Sequence, residues 1–346
     1  MKVINRTSIL FIAIVILTIL FFILDLALGS VSIPLDGVVS ALLGKPEKAS
    51  WQYIILNFRM PKAIAAILTG AGISVAGLQM QTLFRNPLAD TSILGIGHGA
   101  SLGVAIFVLA SALFPGILPV DAQYNNWGII LAAVTGAFLV LFCISTVSVW
   151  LNDMVSLLIV GVMFGFVTGS LVSILQYFSA PELIKSYLIW TFGSLSGVTW
   201  SQLKVMAPIV CCGLALSFLF PKSMNAILLS EQYARSVGVR VSFVRNGLIL
   251  ITAILAGTLT AFTGPIAFIG IAVPHFVRLL FRTADHLILI PASILCGALL
   301  MLFCDMVSQL PGGDTILPIN SVTCIIGAPV VVFIVIQNRR QKSAFS

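Results

Sequence analysis

Ionisable side chains are scarce in this 346-residue sequence, so each one is a candidate for chemistry. Only 8% of its residues are charged, against roughly 25% in ordinary soluble domains. Asp25 and Asp305 stand toward the ends of long apolar runs, where they can reach water. His275 and Arg278 fall three residues apart on one face of a short run that also holds Pro274. The remaining histidines, His98 and His286, are scattered, and all six cysteines (Cys143, Cys211, Cys212, Cys296, Cys304, Cys324) lie in apolar runs without a CxxC pair. Neither a metal site nor a disulfide framework is indicated. A secondary transporter driven by an ion gradient would usually bury a carboxylate near a break in a membrane helix, and none is clearly placed. The phosphate-cradling pattern G-x-x-x-x-G-K-[ST] is missing; Gly44-Lys45 leads into Pro46. There is no HExxH, paired-carboxylate or nucleophile-elbow pattern either. The chain reads as a non-enzyme without a cofactor, unable to hydrolyse ATP through a P-loop of its own.

The elements that carry these residues are membrane spans. Apolar residues make up 59% of the chain and the mean hydropathy is +1.14, too much apolar surface for a soluble fold of this size. The net charge of +7 is dispersed over short loops, so it reads as topology rather than nucleic-acid binding. A run of about 20 apolar residues covers the hydrocarbon core. Such runs occur at Ile9–Leu24, Ala63–Phe84, Ser92–Leu113, Trp127–Trp150, Val155–Tyr177, Gln202–Phe220, Phe243–Phe262, Ile266–Phe281, Leu287–Leu310 and Ile319–Ile336. The first resembles a signal peptide but is long for one, and an uncleaved helix is expected. The fold class is all-α, a polytopic membrane protein with ten transmembrane helices in one domain over 1–346. With both termini in the cytoplasm, twelve Lys and Arg lie inside and six outside, as the positive-inside rule asks. Arg59 and Lys62 are the conspicuous cations on the outside.

Three further features remain. The segment Gly37–Leu43 reads as a short surface helix, and 179–200 as a re-entrant or interfacial segment. The inner loop Pro221–Ser242, PKSMNAILLSEQYARSVGVRVS, patterns as two short amphipathic helices joined by a turn, either a partner's docking element or a helix pair on the lipid surface. Gly161, Gly165 and Gly169 form a small-residue stripe, for close packing within the chain or for a subunit interface or path lining.

The motifs together resemble the FecCD/BtuC-type permeases of ABC importers for ferric siderophores, haem and cobalamin. Arg59-Met60-Pro61-Lys62, then Gly72, Gly77, Gln81 and Asn86-Pro87-Leu88-Ala89-Asp90, then Leu94-Gly95-Ile96-Gly97 with Gly99-Ala100 carry the first block. Glu231 to Gly238, Gly264 to Gly270 with Val273-Pro274-His275, and Gly327-Ala328-Pro329 follow in the family's order. The resemblance implies a type II importer permease, BtuC-like, in the cell inner membrane. Its partners would be a dimer of cytoplasmic ABC ATPases, which bind the ATP, a periplasmic or lipid-anchored substrate-binding protein, and a second permease copy, identical or paralogous. It implies binding-protein docking at Arg59, Lys62 and Gln309, the last at a position where the cobalamin type has arginine. It places ATPase coupling at Ser230, Glu231, Ala234, Arg235 and Gly238, and a path or dimer interface at Gly161, Gly165, Gly169, Gly327 and Pro329. Asn86, Pro87, Asp90, Pro274 and His275 are structural motif residues. His98 stands where the family has serine, in a packed or capping role. An iron chelate is the expected cargo, with haem or cobalamin as the alternative.

Overall fold

A computed structural model of the chain describes residues 2–110, 126–150, 154–310 and 316–343. The described residues are helical nearly throughout, with no strand. In chain order the helices are α1 (Lys2–Ala27), α2 (Leu35–Leu42), α3 (Ala49–Ile54), α4 (Met60–Leu83), α5 (Ile96–Leu109), α6 (Asn126–Trp150), α7 (Met154–Tyr177) and α8 (Pro181–Thr191). They continue with α9 (Trp200–Ser217), α10 (Pro221–Leu229), α11 (Glu231–Ser236), α12 (Val241–Thr263), α13 (Ile269–Phe281), α14 (His286–Ser308) and α15 (Ile319–Ser343). Among the described residues seven helices are long and apolar enough to cross a membrane, and three shorter apolar ones, Ile96–Leu109, Ile269–Phe281 and Ile319–Val332, accompany them. These ten coincide with the ten runs read from sequence. The end of the third run, 111–113, lies outside the described residues.

One boundary differs. The region before α4 is not a loop: α3 passes through a π turn, Ile55–Arg59, directly into α4, giving one helical run Ala49–Leu83. Pro61 does not break it, because it follows directly on the π turn, the kind of local adjustment by which a membrane helix accommodates a missing N–H.

The chain divides into two compact units. The first comprises Met1–Leu78, Ser194–Ala207 and Ile266–Ser346. In it α1 packs on α14, and α13, α14 and α15 pack on one another. Glycines set the closest approaches: a Cβ on Gly70 would stand 2.1 Å from the Gly297 carbonyl oxygen, and one on Gly77 2.1 Å from that of Gly270. The second comprises Gln79–Gly193 and Pro208–Pro265, with α5 packed against α6, α7, α8 and α12. Helix α4 itself runs on from the first unit into the second. Burial sorts the spans. The apolar window of α4 is 83% buried, whereas those of α1 and α7 are 17% buried, so α4 is an interior helix and the other two offer apolar faces outward.

Candidate functional site

The site starts at the first turn of α4. Arg59 and Lys62, expected as exposed docking cations, are each only 6% exposed. Arg59 Nη1 donates to the carbonyls of Leu26 and Ala27, both at 2.8 Å, and Nη2 donates to the Val31 carbonyl. It thereby caps the end of α1, where free carbonyls and the negative end of the helix dipole favour a cation. Gly29 lies under the guanidinium, and a Cβ there would stand 2.7 Å from Nη2. Lys62 Nζ is 2.7 Å from Asp305 Oδ2 and 3.8 Å from Asp25 Oδ1. Gln309, one residue beyond α14, donates from Nε2 to Asp25 Oδ1 at 3.1 Å and to Asp305 Oδ2 at 3.2 Å.

This corrects two expectations. Asp25 and Asp305 do not reach water; they are 0% and 3% exposed. Arg59 and Lys62 are not open at the surface either: the chain's own carbonyls and carboxylates take up their donors. Sequence reading missed the cluster because its charged members, Asp25, Lys62 and Asp305, lie 37 to 280 residues apart. The available signal was the count: an unusual cation at the end of one span and a carboxylate near the ends of two others. The segment 311–314 lies outside the described residues.

The other end of α4 is a tight polar turn. Arg85 takes a left-handed conformation (φ 47°), and the Asn86 N–H returns to the Gln81 carbonyl at 3.1 Å, a helix-stop geometry that satisfies terminal carbonyls. Asn86 Oδ1 then accepts from the Leu88 N–H at 2.9 Å, and Pro87 takes the second position of a turn that the Ala89 N–H closes on the Asn86 carbonyl at 3.0 Å. Asp90 is 8% exposed, and burial raises its carboxyl above the ordinary range, against the opposing effect of its hydrogen bonds to Thr91. The second structural block, Pro274 and His275, is buried within α13; Pro274 sits near the middle of that short helix.

The segment Pro221–Ser242 has the form read from sequence, two short helices joined by a turn. Helix α10 ends at Ser230, whose Oγ accepts from the Tyr233 N–H at 2.9 Å and caps α11, so serine here starts a helix rather than merely replacing a turn residue. Glu231 Oε1 is 3.6 Å from Arg245, which is buried in the first turns of α12, and its Oε2 is 3.7 Å from exposed Arg235. Ala234 is fully buried, and Gly238 (φ 84°) closes the element with a left-handed turn. Thus Glu231, Ala234 and Gly238 fix the pair of helices, while Arg235, Gln232 and Tyr233 face outward.

The small residues separate by environment. Gly161 is buried against Gly95. The imidazole of His98 lies over Gly165, its ring atoms 3.3–3.5 Å from where a Cβ would be. Gly327 packs on Phe268, 2.5 Å from the same virtual position. Only Gly169 and Pro329 of that set are open at the surface.

Among the described residues no group of three or more His, Cys, Asp or Glu could hold a metal ion. The FecCD transport family model matches residues 17–337. The chain belongs to the FecCD transport family. Relatives in the family include the hemin transport system permease protein HmuU of Yersinia pestis, 32% identical over 296 residues, covering 85% of this chain and 86% of the relative. The vitamin B12 import system permease protein BtuC of Escherichia coli O9:H4 is 32% identical over 295 residues, covering 84% and 85%. A solved ABC transporter assigned to the metal-chelate type, in an inward-facing conformation, superposes with a TM-score of 0.82 at 26% identity, covering 95% of this chain and 99% of that one. The FecCD members named here are transport components.

Proposed function

We propose that this FecCD protein is the membrane permease of a binding-protein-dependent ABC importer that carries an iron chelate across the inner membrane. The observation that carries the reading is the α10–α11 element. Two short helices are capped by Ser230 and anchored by Glu231 to Arg245 between two spans, in a family member without a P-loop. Such an element gives a separate ATPase a stiff lever to push on. Both termini lie in the cytoplasm, on the same side as this element, and ATP is bound by the partner. A binding protein delivers cargo at the opposite face, and a second copy or a paralogue completes the path, with the outward faces of α7 near Gly169 as lining or interface. Haem or cobalamin is the alternative cargo, in line with the relatives' names.

The rival is an ion-coupled transporter working alone, and the buried carboxylates Asp25 and Asp305 are its one supporting observation. Lys62 argues against it, since its ammonium already sits where a coupling ion would. Proteoliposomes holding the permease alone should take up none of ferric siderophore, haemin or cyanocobalamin, and adding the ATPase, binding protein and ATP should start uptake of one. Uptake driven by a proton or sodium gradient without ATPase would sink the proposal.

A further inference from the structure

Three spans of the first unit are tied together by charge at one end. Asp25 lies in the last turn of α1, Lys62 in the first turn of α4, and Asp305 in the last turn of α14, with Gln309 just beyond. Lys62 bridges the two carboxylates and Gln309 donates to both. The three charged side chains are almost wholly withdrawn from solvent. One oxygen, Asp25 Oδ2, has no hydrogen-bond partner among the described residues. Arg59, the other charge beside Asp25, spends its donors on the carbonyls of Leu26, Ala27 and Val31.

Such a cluster is a poor device for static stability. Desolvating ions can cost more than their pairing returns, and well-packed neutral replacements are often as stable or more so. The same ions gain hydration whenever the helix ends part, whereas apolar side chains in their place would oppose parting. Charge therefore makes this end firm in its geometry when closed and inexpensive to open. Because α4 runs unbroken from Lys62 to Leu83, a shift at this end is carried along the helix toward the Asn86–Asp90 turn.

We propose that Asp25, Lys62, Asp305 and Gln309 form a charge latch that holds the ends of α1, α4 and α14 together and releases them, by admitting water, during the transport cycle. The proposal rests on the chain being a transporter with a separate ATPase.

The test uses the full permease–ATPase complex and a charge-free latch, Asp25→Asn with Lys62→Met and Asp305→Asn. This variant should melt at or above the wild-type temperature, while its ATP hydrolysis falls about tenfold, a factor equivalent to about 1.4 kcal/mol in the barrier. Hydrogen–deuterium exchange in peptides covering the ends of α1, α4 and α14 should rise on adding ATP to wild type and stay flat in the variant. A swapped pair, Lys62→Asp with Asp305→Lys, should recover part of both responses. A charge-free variant with wild-type hydrolysis and a wild-type exchange response would overturn the latch. So would wild-type peptides that stay flat through an active ATPase cycle. If the charge-free variant does not fold, the swapped pair decides, and a folded swap without any exchange response overturns the proposal. Failure of an ATPase to assemble with wild-type permease would instead overturn the proposed function.

Discussion

Each unit buries a polar cluster among its described residues, and the two solve the same problem differently. In the second unit Gln79 Nε2 donates to Ser217 Oγ at 2.8 Å, Thr252 Oγ1 donates to Gln79 Oε1 at 3.0 Å, and Ser217 donates on to the Gly213 carbonyl at 2.9 Å. Every member is neutral and donors match acceptors, tying α4, α9 and α12 as polar residues commonly do between membrane helices. In the first unit Lys62, Asp25 and Asp305 are charged, neutral Gln309 donates to both carboxylates, and Asp25 Oδ2 is left over among the described residues. A satisfied neutral knot is glue, because nothing is gained by letting water in. A charged, incompletely satisfied one has an alternative state in water, and that gives it the means to move.

Substitutions can break or sharpen this contrast. The largest effect is expected from Lys62→Met alone, which strands two buried carboxylates; breaking one partner of a buried pair costs about 3–5 kcal/mol, read as a lower melting temperature in detergent. Gln79→Leu should cost less, on the order of 0.6–1.7 kcal/mol as for other hydrogen bonds between membrane helices, and should leave the ATP response of the folded protein unchanged. If Gln79→Leu cost as much as Lys62→Met, the distinction between glue and latch would fail. At the coupling element, Arg235→Glu should shift stability by no more than about 1 kcal/mol, since Arg235 is exposed, while lowering ATP-dependent uptake, because Glu231 still holds Arg245. Unchanged uptake would place ATPase contact elsewhere. Smallest of all, Gly169→Ala meets no atom within 4 Å and should change the melting temperature negligibly, within about 0.5 kcal/mol. A marked loss of uptake in that folded variant would support Gly169 in a path or subunit interface.

Much of this was legible in the one-dimensional pattern. Ten apolar runs reappear as ten apolar helices because span length and hydrophobicity are local quantities. Helix stops were legible for a similar reason: Arg85-Asn86-Pro87 and Gly238 act on neighbouring backbone. The two-helix coupling element followed from periodicity between Pro221 and Ser242, and Ser230 capped the second helix from three residues away. Less visible was the continuity of Ala49–Leu83, since Arg59, Pro61 and Lys62 look like punctuation until their partners are known.

The sequence by itself determined the membrane class, the count of spans, the family and the absence of a P-loop, all properties of composition and short-range order. Only the tertiary structure decided what the rare charges do. A lysine and two aspartates read alike whether they face water or each other, and bringing positions 25, 62, 305 and 309 together depends on how α1, α4 and α14 pack. Burial gives Arg59 and Lys62 partners within the chain, because a charge taken out of water needs carbonyls or a counter-charge within reach.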